Sequence, residues 1–474
     1  MSARSDQNRA LSAELSNIVG ADHVITSPVA LEAYGYDASL ESARPDVVVL
    51  PDSTREVLQI VRLAHALRTP IVARGAGTSV SGGSIPVAGG IMIAFSRMDR
   101  ILDIDPENLC ATVEPGVVNL DLSVATAPYG LRYVPDPSSQ KTCTLGGNVA
   151  ENAGGLLCFR YGTTVNHLMG LEMVTAEGDL FEIGGKAAAP GYDLLGVLTG
   201  SEGTLGIFTK ITVRLMPLPR ASCTILASFG SVDHAGGTVA DVVASGIVPS
   251  ALEMMDRGII HAVEAYIKAG YPLDADAVLI IELEGDPRAV EAQGARIREI
   301  CAQNRAREVR LSRDPAEREK LWSGRKGALG AVARLRPRYY LHDGVVPRSR
   351  LVETLREVQA IARRYRLQIV NVLHAGDGNL HPMILFDTRN AEETARVRAA
   401  GDDIIRKCVS AGGTITGEHG IGIEKRHLMS LVFSHEDMAA MTRLKHTFDA
   451  DGFMNPGKIF PTGAVCGDVK PVAA

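Results

Sequence analysis

Hydrophobic and polar positions keep a different rhythm in each half of this chain. DVVVLPDSTREVLQIVRLAHALRTPIVARG, residues 46–75, reads as a buried strand, an amphipathic helix and a second strand. Ser53 and Glu56 stand at capping-box spacing where that helix begins. GGIMIAF, RILDID and LCATVEPG follow as short strands, and NLDLSVATAPYG as a helix closed by Gly130. Pro217 and Pro219 punctuate the end of GSEGTLGIFTKITVRLMPLP. Beyond them the pattern turns to longer alternating strands and helices, such as AVLIIELEGD and then PRAVEAQGARIREICAQ. Two helices and the tail DGFMNPGKIF end the chain. The pattern predicts an α+β protein with a helical arm over 1–45, a mixed domain over 46–220 and an α+β domain over 221–474.

Composition narrows the classes. At 474 residues the chain exceeds what one hydrophobic core usually spans. A net charge of −6 leaves no basic footprint, which excludes nucleic acid as the expected partner. The 7 cysteines include no C-x-x-C pair, which argues against an iron–sulfur or zinc-ribbon framework and for free thiols in a reducing compartment. The start, MSARSDQNRA, has no apolar signal core, and no apolar run is long enough to span a bilayer. A soluble, cytoplasmic protein is expected.

Candidate chemistry begins at NVLHAGDGNLHPM, residues 371–383, which uses two of the 12 histidines. QIVNVLH and LHPMILF are strand-like, and Asp377-Gly378 is a strong hairpin-turn signal. Folding about that dipeptide would pair His374 with His381, with Cβ atoms about 4.5–5.5 Å apart on one face. Two imidazoles there can converge on one ion, and they equally suit a hairpin whose histidines only hydrogen-bond. TGEHGIG, residues 416–422, offers a carboxylate beside a histidine. His374, His381 and Glu418 would make a three-ligand site with positions left open, the pattern of a catalytic metal. His419 would then stand beside it as a general base, whereas a glycine-bounded turn with a surface ion pair is the simpler alternative. His427 is expected on a solvated helix face. Mixed nitrogen and oxygen ligands suit zinc, iron or manganese, with zinc preferred.

ARGAGTSVSGG, residues 73–83, concentrates glycine and hydroxyl residues after an apolar strand. Successive backbone amides in such a loop form an anion-binding concavity. It lacks the dinucleotide fingerprint, because Val80 stands where the third glycine would fall, and no G-K-[ST] closes a P-loop. A second block, TLGGNVAENAGG at 144–155, would let backbone lie flat against a large ligand.

These blocks, together with PDPSSQKTCTLGGNVAENAGG, GSEGTLGIFTKITVRLMP, HAGDGNLHPMILFD, GEHGIG and DGFMNPGKIF, resemble FAD-linked 2-hydroxyacid dehydrogenases of the vanillyl-alcohol-oxidase flavin fold. YYLHDGVVPR at 339–348 supports the branch that holds bacterial glycolate oxidase flavoprotein subunits. The resemblance implies a two-lobed FAD-binding domain, an α+β substrate (cap) domain and a C-terminal helical segment returning to the flavin. It places Arg74, Gly75, Ala76, Gly77, Thr78, Ser79 and Gly82 on the FAD pyrophosphate, and Pro135, Thr144, Gly147, Asn148, Gly162, Gly203, Gly206, Ile207 and Asn455 along the rest of the cofactor. His374, His381 and Glu418 match the family's metal ligands, His419 its catalytic base, and Arg325 its substrate-carboxylate arginine.

Some relatives attach flavin through a histidine in the first loop; this loop has none, so dissociable FAD is expected, with Cys143 and Cys158 as ordinary thiols. Leu329 and Met383 stand where 2-hydroxyglutarate-oxidising relatives place polar groups, which favours glycolate or D-lactate. The implied reaction is oxidation of a 2-hydroxy acid to the 2-keto acid, with hydride passing to the flavin. A D-2-hydroxyglutarate-type dehydrogenase is the alternative, and a metal-dependent hydrolase a weaker one. The resemblance also implies an iron–sulfur partner subunit in a homo- or hetero-oligomer, which could hold the chain at the inner face of the membrane.

Overall fold

The structure is a computed structural model that describes residues 2–187 and 191–461. Two compact units emerge. One comprises Met1–Gly154, Thr163–Leu218 and Glu418–Ala474, the other Gly155–Gly162 and Pro219–Gly417. The break between Leu218 and Pro219 falls at the proline punctuation.

In the first unit, strands β1 (Val24–Ile25), β2 (Val47–Val49), β3 (Ile71–Arg74) and β4 (Ile91–Ala94) form a sheet in the order β1-β2-β4-β3. β2, β4 and β3 run parallel. β2 and β4 are fully buried and β3 nearly so, which suits a parallel sheet covered on both faces. The helix Thr54–Leu67 links β2 to β3 and buries Val57, Ile60, Val61 and Ala64, the spacing of one helical face. Ser53 Oγ accepts from the Glu56 amide, as the capping spacing predicts, but the Glu56 carboxylate reaches back to the Asp52 amide rather than that of Ser53.

A second sheet combines β5 (Ile101–Asp105), β6 (Cys110–Val113), β8 (Leu168–Val174), β9 (Leu180–Gly184) and β10 (Ile207–Arg214), all antiparallel, in the order β5-β6-β10-β8-β9. The short β7 (Leu131–Arg132) pairs with β11 (Met216–Pro217). The segment expected as an N-terminal arm joins this unit's core: Leu11, Leu15 and Val19 of helix Ser2–Val19 cluster with Val57, Ile60 and Met454. The C-terminal run also docks here. Ile71 N donates to Phe453 O, and Asn455 N donates to Ile71 O at 2.7 Å.

The second unit is one antiparallel sheet. Its strands are β12 (Ala221–Phe229), β13 (Ala251–Asp256), β14 (Ala277–Gly285), β15 (Ala306–Leu311), β16 (Arg338–Leu341), β17 (Gly344–Val345), β18 (Gln368–His374) and β19 (Asn379–Phe386). The order is β15-β12-β14-β13-β18-β19-β16, with β17 also on β19. Eight of the nine β14 residues are buried, Glu282 and Glu284 among them. Cys110, Cys143, Cys158, Cys223, Cys301 and Cys408 are free thiols, and Cys466 lies outside the described residues. Among the described residues no helix is long and apolar enough to cross a membrane.

Leu15 has no exposed surface. Leu15→Ala is expected to destabilise the first unit by about 2–5 kcal/mol, the usual cost of truncating a buried leucine. Urea unfolding followed by far-UV circular dichroism measures this, and an unchanged midpoint would remove the helix from the core.

Candidate functional site

The first unit builds a cradle from backbone. β3 ends at Arg74, and the chain then turns through Gly77 at φ +70° and Gly82 at φ +83°, conformations that glycine alone adopts without strain. Arg74 is buried beneath the loop, its Nη1 3.4 Å from Tyr34 O and from Ser84 Oγ. A Cβ at Gly77 would overlap that guanidinium, and one at Gly75 would overlap Thr144 Oγ1. Arg74 therefore braces the loop from below. Among the described residues no acceptor meets the amides of Gly75, Ala76, Gly77, Thr78 or Ser79. The loop is only partly buried, with Ala76 exposed, so water or a ligand receives these amides. A pyrophosphate fits this donor set.

The block at 144–155 differs from its expected form. Leu145–Glu151 is a helix, with Thr144 as its N-cap accepting from Gly147 N and Asn152 in the left-handed conformation at its end. The tertiary reason lies at Gly146, whose missing Cβ lets the helix pack on Pro115. Asn148 is engaged by Asn119 Nδ2 at 2.9 Å and by Cys143 Sγ, and the same Asn119 amide donates to Pro135 O. Gly206 packs on Met173 and leads into Ile207, the first residue of β10. Asn455 Nδ2 donates to Gly83 O at 2.8 Å and Glu202 O at 2.6 Å, so it ties the anion loop to the turn before Gly203. Gly162 belongs to the second unit, apart from the other residues expected along the cofactor.

Two acids that sequence reasoning passed over complete this region. Glu202 accepts from Ile421 N at 2.6 Å and Gly422 N at 2.8 Å. The Glu151 carboxylate lies against Gly83 and Gly420. Burial pushes the Glu202 carboxyl above its usual range, and burial together with the Glu202 charge pushes Glu151 well above it. Their signal in the sequence was an acid within a glycine-rich run. These acids lie against the GEHGIG turn together with Ser81, whose Oγ donates to His419 O at 2.7 Å. Glu418 Oε1 lies 3.4 Å from His419 Nε2, and both side chains stay partly accessible. His427 is exposed, as expected.

The second unit carries the histidine hairpin, and its register differs from the expected one. β18 and β19 pair His374 with Asn379 and Val372 with His381, leaving a four-residue turn, Ala375–Gly378. Gly376 causes the shift: its amide donates to Leu252 O, and its missing Cβ gives room to Phe159. The slip is two residues, so both histidines keep one face. Their rings meet edge to face with centroids 5.1 Å apart. His374 Nδ1 lies 2.8 Å from Glu253 Oε1, and His381 Nδ1 lies 3.3 Å from His342 O. Facing acceptors, each Nδ1 keeps the ring proton and leaves the lone pair on Nε2, the form in which imidazole binds a metal. The pair therefore fits a metal.

Arg325 Nε donates to Glu253 Oε2 at 2.7 Å, and its Nη2 lies 2.6 Å from the same oxygen. Burial alone would raise the Glu253 carboxyl, but the charge of Arg325 and the hydrogen bonds from His374 and Arg325 bring it below the usual range. Leu329 lies half-buried in the helix Ala328–Val332, while Met383 is buried and shares the face of His381 two residues on.

Comparison with known proteins agrees with this anatomy. A model of an FAD binding domain matches residues 45–184, and one of the C-terminal domain of FAD linked oxidases matches 218–459. The glycolate oxidase subunit GlcD of Escherichia coli K12 is 46% identical over 90% of this chain and 85% of its own length. GlcD of Bacillus subtilis 168 is 42% identical over 95% and 97%. Among solved structures, 4-ethylphenol oxidase from Gulosibacter chungangensis superposes with TM-score 0.80 at 19% identity, covering 96% of this chain and 98% of that one.

Two outcomes follow from the cradle. Gly77→Ala forces a side chain into a left-handed position at about 1–2 kcal/mol, so FAD affinity is expected to fall about 5–30-fold in a fluorescence titration. Burial depresses Lys458 to about 8. The unfolded lysine binds more protons between that value and its free pKa, so stability should rise with pH across this window, by at most ~1.4 kcal/mol per pH unit. Urea unfolding of wild type and Lys458→Met across that window should show this slope in the wild type only.

Proposed function

This chain belongs to the FAD linked oxidases, and from that premise we propose that it oxidises a small 2-hydroxy acid, glycolate or D-lactate, to the 2-keto acid using non-covalent FAD. The observation that carries this is the run of amides from Gly75 to Ser79 with no acceptor among the described residues. A metal-dependent hydrolase would give that loop nothing to do. Relatives named glycolate oxidase subunit and D-lactate dehydrogenase align over most of the chain. Apolar Leu329 and Met383 leave no polar partner for a second substrate carboxylate, which disfavours 2-hydroxyglutarate.

Bound FAD supplies the two-electron acceptor. The amides of Gly75–Ser79 hold its pyrophosphate, and Asn455 keeps that loop against the Glu202–Ile207 turn. A divalent cation, zinc by preference, would supply Lewis-acid polarisation of the substrate hydroxyl. His374 and His381 would ligate it through Nε2, with Glu418 as the third ligand. Chain connection supports that third ligand: Gly417, the residue before Glu418, donates its amide to Asp343 Oδ2 at 3.0 Å beside Asn379. An imidazole nitrogen of His419 takes the α-hydroxyl proton. Ser81 and Glu202 hold the backbone at His419 O and at the amides of Ile421 and Gly422, just after that imidazole.

The electrons leave through an iron–sulfur partner subunit, a role supported by the naming of the GlcD relatives as subunits. Such a partner would place the chain at the inner face of the membrane. Purification from the native cell is expected to recover a cluster-bearing protein with this one, and a lone chain fully active with its natural acceptor would remove that partner.

Anaerobic addition of glycolate or D-lactate should bleach a yellow flavin band, and chelator treatment should abolish the bleaching. A folded protein that stays colourless with added FAD would sink the assignment. His419→Ala should slow flavin reduction by about 10²–10⁴-fold while FAD and metal content stay at wild-type levels.

A further inference from the structure

Glu253 is deeply buried behind the histidine hairpin, with about 1% of its surface exposed. β13 and β18 pair so that Glu253 stands directly opposite His374. The two side chains, 121 positions apart in sequence, meet at 2.8 Å between Oε1 and Nδ1. The other carboxylate oxygen takes both Nε and Nη2 of Arg325, which is 2% exposed. An unbroken chain therefore runs from Arg325 through Glu253 to His374. A buried ion pair rarely earns its place by stability, since apolar residues of similar volume usually do as well. Orientation explains it better.

We propose that Glu253 is the positioning residue of the cation site: it fixes the ring plane and the tautomer of His374, presenting Nε2 to a divalent cation, and Arg325 neutralises and orients Glu253. This rests on His374 and His381 being cation ligands. His381 Nδ1 faces the His342 carbonyl at the longer distance of 3.3 Å. A carboxylate behind an imidazole raises its basicity and restrains its ring more than a carbonyl does. Affinity for the cation should accordingly depend on Glu253 although Glu253 never touches it.

The test uses the full chain with FAD bound, stripped of metal by chelator and titrated with Zn²⁺ against a competing chelator, and with Co²⁺ followed by its visible absorption. Glu253→Gln, and the double variant Glu253→Gln/Arg325→Gln that leaves no uncompensated buried charge, should bind Zn²⁺ about 10–100-fold more weakly than wild type. Their Co²⁺ bands should shift, while FAD content and the melting temperature of the double variant stay near wild type. Glu253→Asp, which keeps the charge, should recover part of the affinity. Wild-type Zn²⁺ affinity and an unshifted Co²⁺ spectrum in the folded double variant would overturn the positioning role and leave the cation site standing. A wild-type protein that takes up neither ion, or takes them up equally after His374→Ala, would overturn the site itself and the role of Glu253 with it.

Discussion

The first unit depends on a buried polar knot. Glu202 receives the amides of Ile421 and Gly422, Asn455 bonds the carbonyls of Gly83 and Glu202, and Lys458 Nζ bonds the Asn455 side chain at 3.0 Å. Stretches far apart in sequence, around residues 83, 202, 421 and 455, are held by one set of hydrogen bonds. Inside a low-dielectric core such bonds are strong when complete and costly when broken, so the network tolerates one arrangement. The anion loop and the turn bearing His419 are fixed by the same knot.

That economy separates two kinds of work. Backbone amides and glycines provide the concavity of the cradle, and buried side chains such as Arg74, Asn148 and Asn455 hold it in shape without facing a ligand. The second unit follows the same plan at its histidine pair. His374 and His381 present their rings, while Glu253, Arg325 and the His342 carbonyl set how those rings stand. In both units the groups that would meet a ligand are few, and more side chains are committed to their geometry.

Much was legible from the chain because its causes are local. The Thr54–Leu67 helix follows from an apolar stripe and a serine cap, the β14 strand from a run of buried β-formers, and the domain break from Pro217 and Pro219. The anion loop was legible because glycine at Gly77 and Gly82 signals positive φ. The histidine hairpin was legible in kind, since a side-chain period of two keeps His374 and His381 on one face under a two-residue slip.

What the sequence by itself determined was therefore the set of elements, the glycine-built loop and the identity of the facing histidines, all governed by interactions within a few residues. Only the tertiary structure decided the hairpin register, through Gly376 against Leu252 and Phe159. It alone turned the 144–155 block into a helix through the packing of Gly146 on Pro115. It also gave Arg325 to Glu253 and Glu202 to the Ile421–Gly422 amides. The physical reason is common to all of these. A buried charge or a close backbone approach is settled by whichever partner folding brings within about 3 Å, and that partner lies tens to hundreds of residues away, beyond the reach of local pattern.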